Sequence, residues 1–256
     1  MRLTPILVSL VLLAGCSSAP AQVITVTASA SSTASPSPVP SVNGWDNAQA
    51  FADAALSGDY EKAEKFASPN SAAARYLIHM RAVDDAMIGG GGSSVQAPDD
   101  VTYDADSQTV TYTYTDGPTT DWTDFQYDAD GYVVSWATGK SSTTLSERLW
   151  TKSAKVANKH VSIELVSAYK NDSALWVVLD IKAKDRSIEP DWSPLLDDVK
   201  GRQREAGEVD GPDKIMKGNR AYVAYAFGNA DFGGTLRYKL EDTAYNDLGT
   251  LKIKIK

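Results

Sequence analysis

The stretch Thr109-Val110-Thr111-Tyr112-Thr113-Tyr114-Thr115 alternates threonine with apolar side chains, so one face of the segment is apolar and the other is polar. This period of two predicts a β-strand with one buried face. Two further strand segments follow, Phe125-Gln126-Tyr127 and Tyr132-Val133-Val134-Ser135-Trp136. Turn signals precede them, Asp116-Gly117-Pro118 and Asp128-Ala129-Asp130-Gly131. The pattern therefore predicts an antiparallel meander.

The residues before this meander follow a helical period instead. Apolar side chains recur at spacings of three and four between Ala48 and Leu56, and Asp59 can cap a second helix over residues 60–67. Asn70 or Ser71 opens a third helix with an apolar stripe. The stripe consists of Ala73, Tyr76, Leu77, Met80, Val83 and Met87. Helices followed by antiparallel strands predict an α+β domain over residues 45–145, with the helices laid over one face of the sheet.

The segment Ala50-Phe51-Ala52-Asp53-Ala54-Ala55-Leu56-Ser57-Gly58-Asp59-Tyr60-Glu61-Lys62-Ala63 resembles the opening of NTF2-like (cystatin-like cone) domains. The resemblance implies a curved antiparallel sheet that encloses a conical pocket together with a long helix. The candidate pocket residues are His79, Tyr112, Tyr114, Trp122 and Trp136. In such a pocket His79 could act as a general base. A second interpretation stays open, because alternating aromatic residues on strands are commonly core and a histidine beside an apolar stripe can be a hydrogen-bonded boundary residue.

Residues 149–256 show almost no helical periodicity. Apolar residues alternate over 160–165, with His160 on the outward face, and residues 175–181 are apolar enough for a mostly buried strand. Three more strand segments follow, over 221–227, 235–240 and 250–255. The pattern predicts an all-β sandwich. It resembles the immunoglobulin-like (DUF4352-like) domains of secreted bacterial lipoproteins, and that resemblance implies a long excursion before the closing strands.

The excursion over residues 184–220 is long and polar, and it contains three prolines. We expect it to contain ordered fragments around Trp192, Leu195 and Leu196, and it is a candidate interaction loop. The residues of that loop that could contact a partner are Trp192, Arg202 and Arg204. The basic cluster Lys200-Gly201-Arg202-Gln203-Arg204 lies between acidic residues, so a solvated loop is the alternative.

Composition excludes several classes of protein. The 256 residues contain 25 Lys and Arg against 33 Asp and Glu, which gives a net charge of −8 and argues against nucleic-acid binding. A single cysteine excludes an intrachain disulfide and a cysteine-rich zinc site. We find no phosphate-binding loop, dinucleotide fingerprint, nucleophile elbow or zinc-protease motif, so no cofactor, metal or catalytic residue is predicted.

The first residues carry a targeting pattern. Arg2 is followed by an apolar run over residues 6–13, which is shorter than a membrane span and is typical of a secretory signal peptide. The segment Leu13-Ala14-Gly15-Cys16 resembles the lipobox of bacterial lipoproteins. The resemblance implies cleavage after residue 15 and acylation of Cys16, which would hold the protein on a membrane. The alternative is that residues 6–13 form a buried strand or helix.

Residues 16–44 are rich in Ser, Thr, Pro and Ala, and their composition predicts a disordered tether beyond the lipidated cysteine. An exposed edge strand over residues 23–26 is the alternative for this region. Together, these features predict an extracytoplasmic lipoprotein that acts as a non-catalytic binding module for an envelope protein, peptide or wall partner. The alternative function is a small-molecule-binding or weakly catalytic pocket in the cone domain.

Overall fold

The computed structural model describes residues 43–115, 117, 119–138, 143–150 and 154–255. The described residues belong to one compact unit and are mostly β-sheet, with few helices. These helices are α1 (Gly44–Leu56), α2 (Tyr60–Glu64), α3 (Ala72–Gly89) and α4 (Leu145–Arg148). The predicted signal peptide, Cys16 and the tether up to residue 42 lie outside the described residues.

Side-chain caps fix two of the predicted helix starts. The Asp59 carboxylate accepts a 3.0 Å hydrogen bond from the Lys62 N–H, and the Ser71 hydroxyl accepts one of 3.1 Å from the Ala74 N–H. Each cap satisfies a backbone N–H that has no partner within its helix. The predicted cap at Asp59 is therefore confirmed, although α2 ends at Glu64 rather than at residue 67, and of the two candidates for the start of α3 it is Ser71 that caps the helix.

The first sheet is an antiparallel meander in chain order. Its strands are β1 (Asp100–Asp104), β2 (Thr109–Thr113), β3 (Thr120–Tyr127), β4 (Val133–Thr138) and β5 (Thr143–Thr144). Strands β2, β3 and β4 confirm the three predicted strand segments, although β2 ends at Thr113 rather than at residue 115 and β3 begins at Thr120 rather than at residue 125. The Asp128 carboxylate accepts hydrogen bonds of 3.0 Å from the N–H groups of Asp130 and Tyr132, and so shapes the turn between β3 and β4.

Two further sheets contain the rest of the strands. One has the order β13-β14-β9-β8-β6, with β7 paired to β8, and the other has the order β10-β15-β11-β12, with β16 paired to β15. The strands from residue 149 to 189 are β6 (Leu149–Trp150), β7 (Lys155–Ala157), β8 (Val161–Lys170), β9 (Ala174–Ala183) and β10 (Ile188–Glu189). Those from 195 onward are β11 (Leu195–Asp198), β12 (Gln203–Glu205), β13 (Glu208–Asp210), β14 (Arg220–Gly228), β15 (Gly234–Asp242) and β16 (Asp247–Lys254).

These two sheets share one hydrophobic core, in an arrangement compatible with a β-sandwich. Leu179 of β9 and Val223 of β14 contribute from one sheet, and Leu196 of β11 and Leu236 of β15 contribute from the other; all four are fully buried. Strand β11 confirms the expected ordered fragment around Leu195 and Leu196.

Helix α3 divides its apolar stripe between two cores. Its first half, with Ala73 and Leu77, packs with the aromatic residues of the first sheet. Its second half, with Val83 and Ala86, packs against Val178 on the second face of β9. Strand β9 is thus covered on both faces, which explains its continuous apolar sequence. The division of the chain into two domains, near residues 145–149, stays a prediction.

Candidate functional site

A groove in the outer face of the β10-β15-β11 sheet is the candidate functional site. Strand β16 pairs along one edge of β15 from Thr235 to Glu241. On the opposite edge, β11 pairs with residues 234–237 and β10 pairs with residues 241–242. The edge between these two pairings has no strand partner among the described residues. Residues 190–194 connect β10 to β11 and leave the sheet at this gap.

The sequence Pro190-Asp191-Trp192-Ser193-Pro194 explains why the sheet is interrupted there. A proline has no N–H to donate to a strand ladder, and its ring fixes the backbone. Both prolines are buried, whereas Trp192 and Ser193 between them are exposed. The two prolines therefore anchor a short loop that presents Trp192 at the surface.

At the gap, Asp191 forms hydrogen bonds with β15 in place of a paired strand. Its backbone N–H donates a 2.9 Å hydrogen bond to the hydroxyl of Tyr238. Its carboxylate accepts hydrogen bonds from the backbone N–H of Lys239, at 2.6 Å, and from that of Ser193, at 3.1 Å. Burial nevertheless raises the pKa of the Asp191 carboxyl, and it outweighs the effect of these donors. The loop is thus fixed to β15 on the core side and on the outer side.

The groove encloses about 510 Å³, a volume typical of sites for small or short extended ligands. Its floor is the outer face of β15, where Arg237, Lys239 and Glu241 alternate with the buried residues of that strand. The remaining lining residues are Glu189, Pro190, Asp191, Trp192, Ser193, Leu195, Asp247 and Thr250.

Only some of the charged side chains in the groove are paired in salt bridges. The Lys239 ammonium lies 2.5 Å from the Glu241 carboxylate, which raises the pKa of the lysine. The Arg237 guanidinium lies 2.8 Å from the Asp197 carboxylate. Glu189 and Asp247 also line the groove, and within the described chain neither forms a salt bridge. The groove therefore carries excess negative charge.

His79 lies in a different place and is not accessible. It is buried in α3, and its Nδ1 shares a 2.8 Å hydrogen bond with the Ser167 hydroxyl of β8. Its ring also contacts Tyr169, with centroids 5.5 Å apart. Burial lowers the pKa of His79 to about 3, so the ring is neutral at physiological pH. This environment matches a hydrogen-bonded core histidine.

The candidate aromatic residues pack against one another. Trp122 and Trp136 are almost fully buried, with ring centroids 4.6 Å apart, and Tyr76 contacts both edge to face. Tyr112 packs on Trp122 at 5.5 Å, and Tyr114 packs on Tyr112 at 5.9 Å; both tyrosines are half-buried. The two tryptophans thus fill the space between the helices and the first sheet.

The expectation that His160 faces solvent is wrong. His160 is buried, and its Nδ1–H donates to the Asp185 carboxylate, whose two oxygens both lie 2.9 Å away. The physical reason is that His160 precedes β8 and lies in a turn. There the Asn158 side chain accepts hydrogen bonds from the N–H groups of His160 and Val161, so strand alternation does not apply.

The structure places only one of the three candidate loop residues at the groove. Trp192 lines it, with 42% of its surface exposed. Arg202 instead contacts Asp198 at 2.7 Å and Asp231 at 2.9 Å, and Arg204 is half-buried in β12. The basic cluster is therefore partly neutralised within the chain.

The remaining groove residues were not predicted from the sequence. The charged residues Arg237, Lys239 and Glu241 alternate along one strand, and an exposed aromatic between two prolines precedes them. These two sequence features could have indicated a binding site. That they lie in one groove follows only from the folded structure, which places the Trp192 loop beside β15.

Among the described residues, no group of three or more His, Cys, Asp or Glu side chains could hold a metal ion. The helices of the described part are also too short or too polar to cross a membrane.

Comparison with known proteins gives no match. No protein-family model matches the chain, and neither the curated proteins nor the solved structures contain a significant match.

Proposed function

We propose that the protein is a lipid-anchored, extracytoplasmic binding module that takes up its ligand in the groove beside Trp192. The observation that carries the proposal is the construction of this groove. An aromatic side chain is held at the surface between two buried prolines, over a floor of charged side chains. Aromatic residues and charged groups on a rigid frame are characteristic of recognition sites.

The non-catalytic part of the proposal rests on the histidines. His79 is buried and hydrogen-bonded to Ser167, and His160 is bonded to Asp185. Neither lines the groove. A general base must reach the proton that it abstracts, so neither histidine could act as a general base on a ligand in the groove.

The anchor is proposed from the lipobox-like segment Leu13-Ala14-Gly15-Cys16 and the apolar run before it. Acylation at Cys16 would hold the folded part at a membrane surface. The acidic composition of the chain gives it no electrostatic attraction to anionic lipid, so the lipid itself would provide the attachment.

The finer fold assignments also belong to this proposal. We infer an NTF2-like domain from the three helices that precede the antiparallel meander and share an aromatic core with it. We infer an immunoglobulin-like sandwich from the two later sheets that share one core.

Position-specific photo-crosslinking in intact cells tests binding in the groove. Trp192 is replaced by the photoreactive aromatic residue p-benzoylphenylalanine in the full-length chain. The control carries the same residue at Ile78, which is 49% exposed on α3. We expect discrete crosslinked products from position 192 and none from position 78. Equal products from both positions, or none from position 192, would contradict the proposal.

A further inference from the structure

We infer that the groove binds a positively charged peptide segment, with a Lys or Arg side chain against the Trp192 indole and the carboxylates of Glu189 and Asp247. This inference rests on the proposed function, since it names the class of ligand for the same groove.

The first step concerns a row of carboxylates across three strands. Glu189 of β10 is paired with Glu241 of β15, and Glu241 is paired with Asp247 of β16. In a regular antiparallel ladder, paired residues such as Glu189 and Glu241 project to the same face, with Cβ atoms about 5 Å apart. The β15–β16 pairing shifts register between Leu240 and Glu241, so Asp247 is placed beside them by its position in the groove lining. All three side chains line the groove. Like charges in such positions destabilise a sheet, and a bound cation would remove that repulsion.

The second step concerns the cations already present. Lys239 forms a salt bridge with Glu241, and Arg237 forms one with Asp197. Glu189 and Asp247 form no salt bridge within the described chain, although the charge of Asp247 also raises the pKa of Lys239. Asp247 accepts one hydrogen bond, of 2.7 Å, from the Gly249 N–H. The ligand that complements this surface therefore carries positive charge.

The third step concerns Trp192. An ammonium or guanidinium group is attracted to the face of an indole, more strongly than to the other aromatic rings. The buried prolines on either side restrict the backbone of the loop that carries Trp192, so this loop loses little backbone entropy when a ligand binds. The same loop therefore supplies both a cation–π surface and a preorganised frame.

The fourth step concerns the size of the ligand. The groove is open to solvent, and its volume, about 510 Å³, exceeds that of one basic side chain. Leu195 and Pro190 add apolar surface beside the charged residues. A short peptide with a basic side chain can contact both the charged and the apolar residues of the groove, whereas a free amine would contact only the charged ones.

Fluorescence anisotropy with three labelled peptides tests the inference on the full-length protein in detergent. The peptides are Gly-Lys-Ala-Lys-Gly, Gly-Gln-Ala-Gln-Gly and Gly-Glu-Ala-Glu-Gly. We expect saturable binding of the lysine peptide only, and weaker binding at high salt because the contacts are electrostatic. Stronger binding of the glutamine or glutamate peptide, or no binding of the lysine peptide, would overturn the inference.

Two variants locate the binding. Trp192→Ala should weaken the lysine peptide about fivefold, the effect of one cation–π contact, and Glu189→Gln with Asp247→Asn should weaken it at least as much. Ile78→Ala and the pair Glu61→Gln and Asp106→Asn are the controls, because they remove an exposed apolar side chain and the same two carboxylates from exposed positions elsewhere. Unchanged affinity in both groove variants, with native thermal stability, would refute the assignment.

The crosslinking experiment separates the two proposals. Products from position 192 without binding of the lysine peptide would overturn the charge assignment and leave the binding module intact. No products from position 192 would overturn the binding module itself.

Discussion

The backbone N–H of Asp191 donates a 2.9 Å hydrogen bond to the hydroxyl of Tyr238, whose ring lies in the hydrophobic core that the second and third sheets share. The Tyr225 hydroxyl donates to the same oxygen at 3.0 Å. Two tyrosines of the core therefore fix the loop that presents Trp192, and the shape of the groove depends on buried residues that do not line it.

Tyr238→Phe should reveal this dependence. The substitution leaves the Asp191 N–H and the Tyr225 hydroxyl without their acceptor, and an unsatisfied buried group costs about 1–3 kcal/mol. We expect a loss of unfolding free energy in that range and faster hydrogen exchange of the amides at residues 191–193.

The double variant Tyr225→Phe and Tyr238→Phe serves as the control, measured by urea denaturation. It should lose less stability than the two single substitutions added together, because the second substitution removes a group that the first has left unsatisfied. Strict additivity would show that the two hydroxyls do not interact.

His79 should make stability depend on pH. Burial lowers its pKa to about 3 in the folded protein, whereas an unfolded histidine titrates near 6.5. Between these values the unfolded state binds the extra proton, so stability falls as the pH falls below about 6.5. The contribution is about 1.4 kcal/mol per pH unit well inside this window.

The comparison with His79→Gln isolates this contribution. Glutamine can keep a hydrogen bond to Ser167 but does not titrate, so the difference in unfolding free energy between the two proteins should shrink as the pH is lowered from 7 to 5. Parallel stability curves would show that His79 is protonated equally in the folded and unfolded states.

Asp231 should be a strong electrostatic contact. Its carboxylate lies 2.7 Å from the Lys170 ammonium, 2.6 Å from the Lys200 ammonium and 2.9 Å from the Arg202 guanidinium. The two lysine ammonium groups hold the pKa of the Asp231 carboxyl far below its usual range. Asp231→Asn would leave three cations together, so we expect a loss of about 1 kcal/mol or more at low salt.

Glu64→Gln is the matched control, because Glu64 forms a single exposed pair with Arg81 at 2.9 Å. An isolated surface pair contributes little, so its loss should be below about 0.5 kcal/mol. Both effects should decrease in chemical denaturation experiments at high salt. A smaller loss of unfolding free energy for Asp231→Asn than for Glu64→Gln would show that the three cations around Asp231 add nothing beyond a single surface pair.

Helix α3 should couple the two cores that it joins. Ala86 is fully buried against β9 and β14, so Ala86→Leu overpacks the contact and should cost about 1–3 kcal/mol. Ile78→Leu, at an exposed position of the same helix, should change stability by less than about 0.5 kcal/mol.

The coupling itself should appear in the unfolding of the native protein. Circular dichroism and tryptophan fluorescence should report coincident unfolding transitions, whereas separate transitions would indicate that the two cores unfold independently.

The local elements could be predicted from the sequence, because they depend on neighbouring residues. Alternation in residues 109–115 predicted β2, and the short side chains of Asp59 and Ser71 predicted two caps. The apolar stripe of α3 was predicted as well, but its division was not, because the sheets that bury Leu77 in one core and Val83 in the other form later in the chain.

The groove could not be predicted in the same way. Its gap exists because residues 188–189 and 195–198 pair with opposite ends of β15. The partnership of His79 with Ser167 likewise joins distant segments. Periodicity also failed at His160, because a turn held by Asn158 replaces the strand that its alternation implied.

Labelling with an alkyne-tagged fatty acid in bacterial cells tests most directly whether Cys16 carries the lipid anchor from which the groove is proposed to act. The full-length chain should incorporate the label, and its mass should show that the first fifteen residues have been removed. The Cys16→Ala variant should remain unlabelled and uncleaved. Label on the Cys16→Ala variant, or an unlabelled native chain that keeps its first fifteen residues, would contradict the assignment.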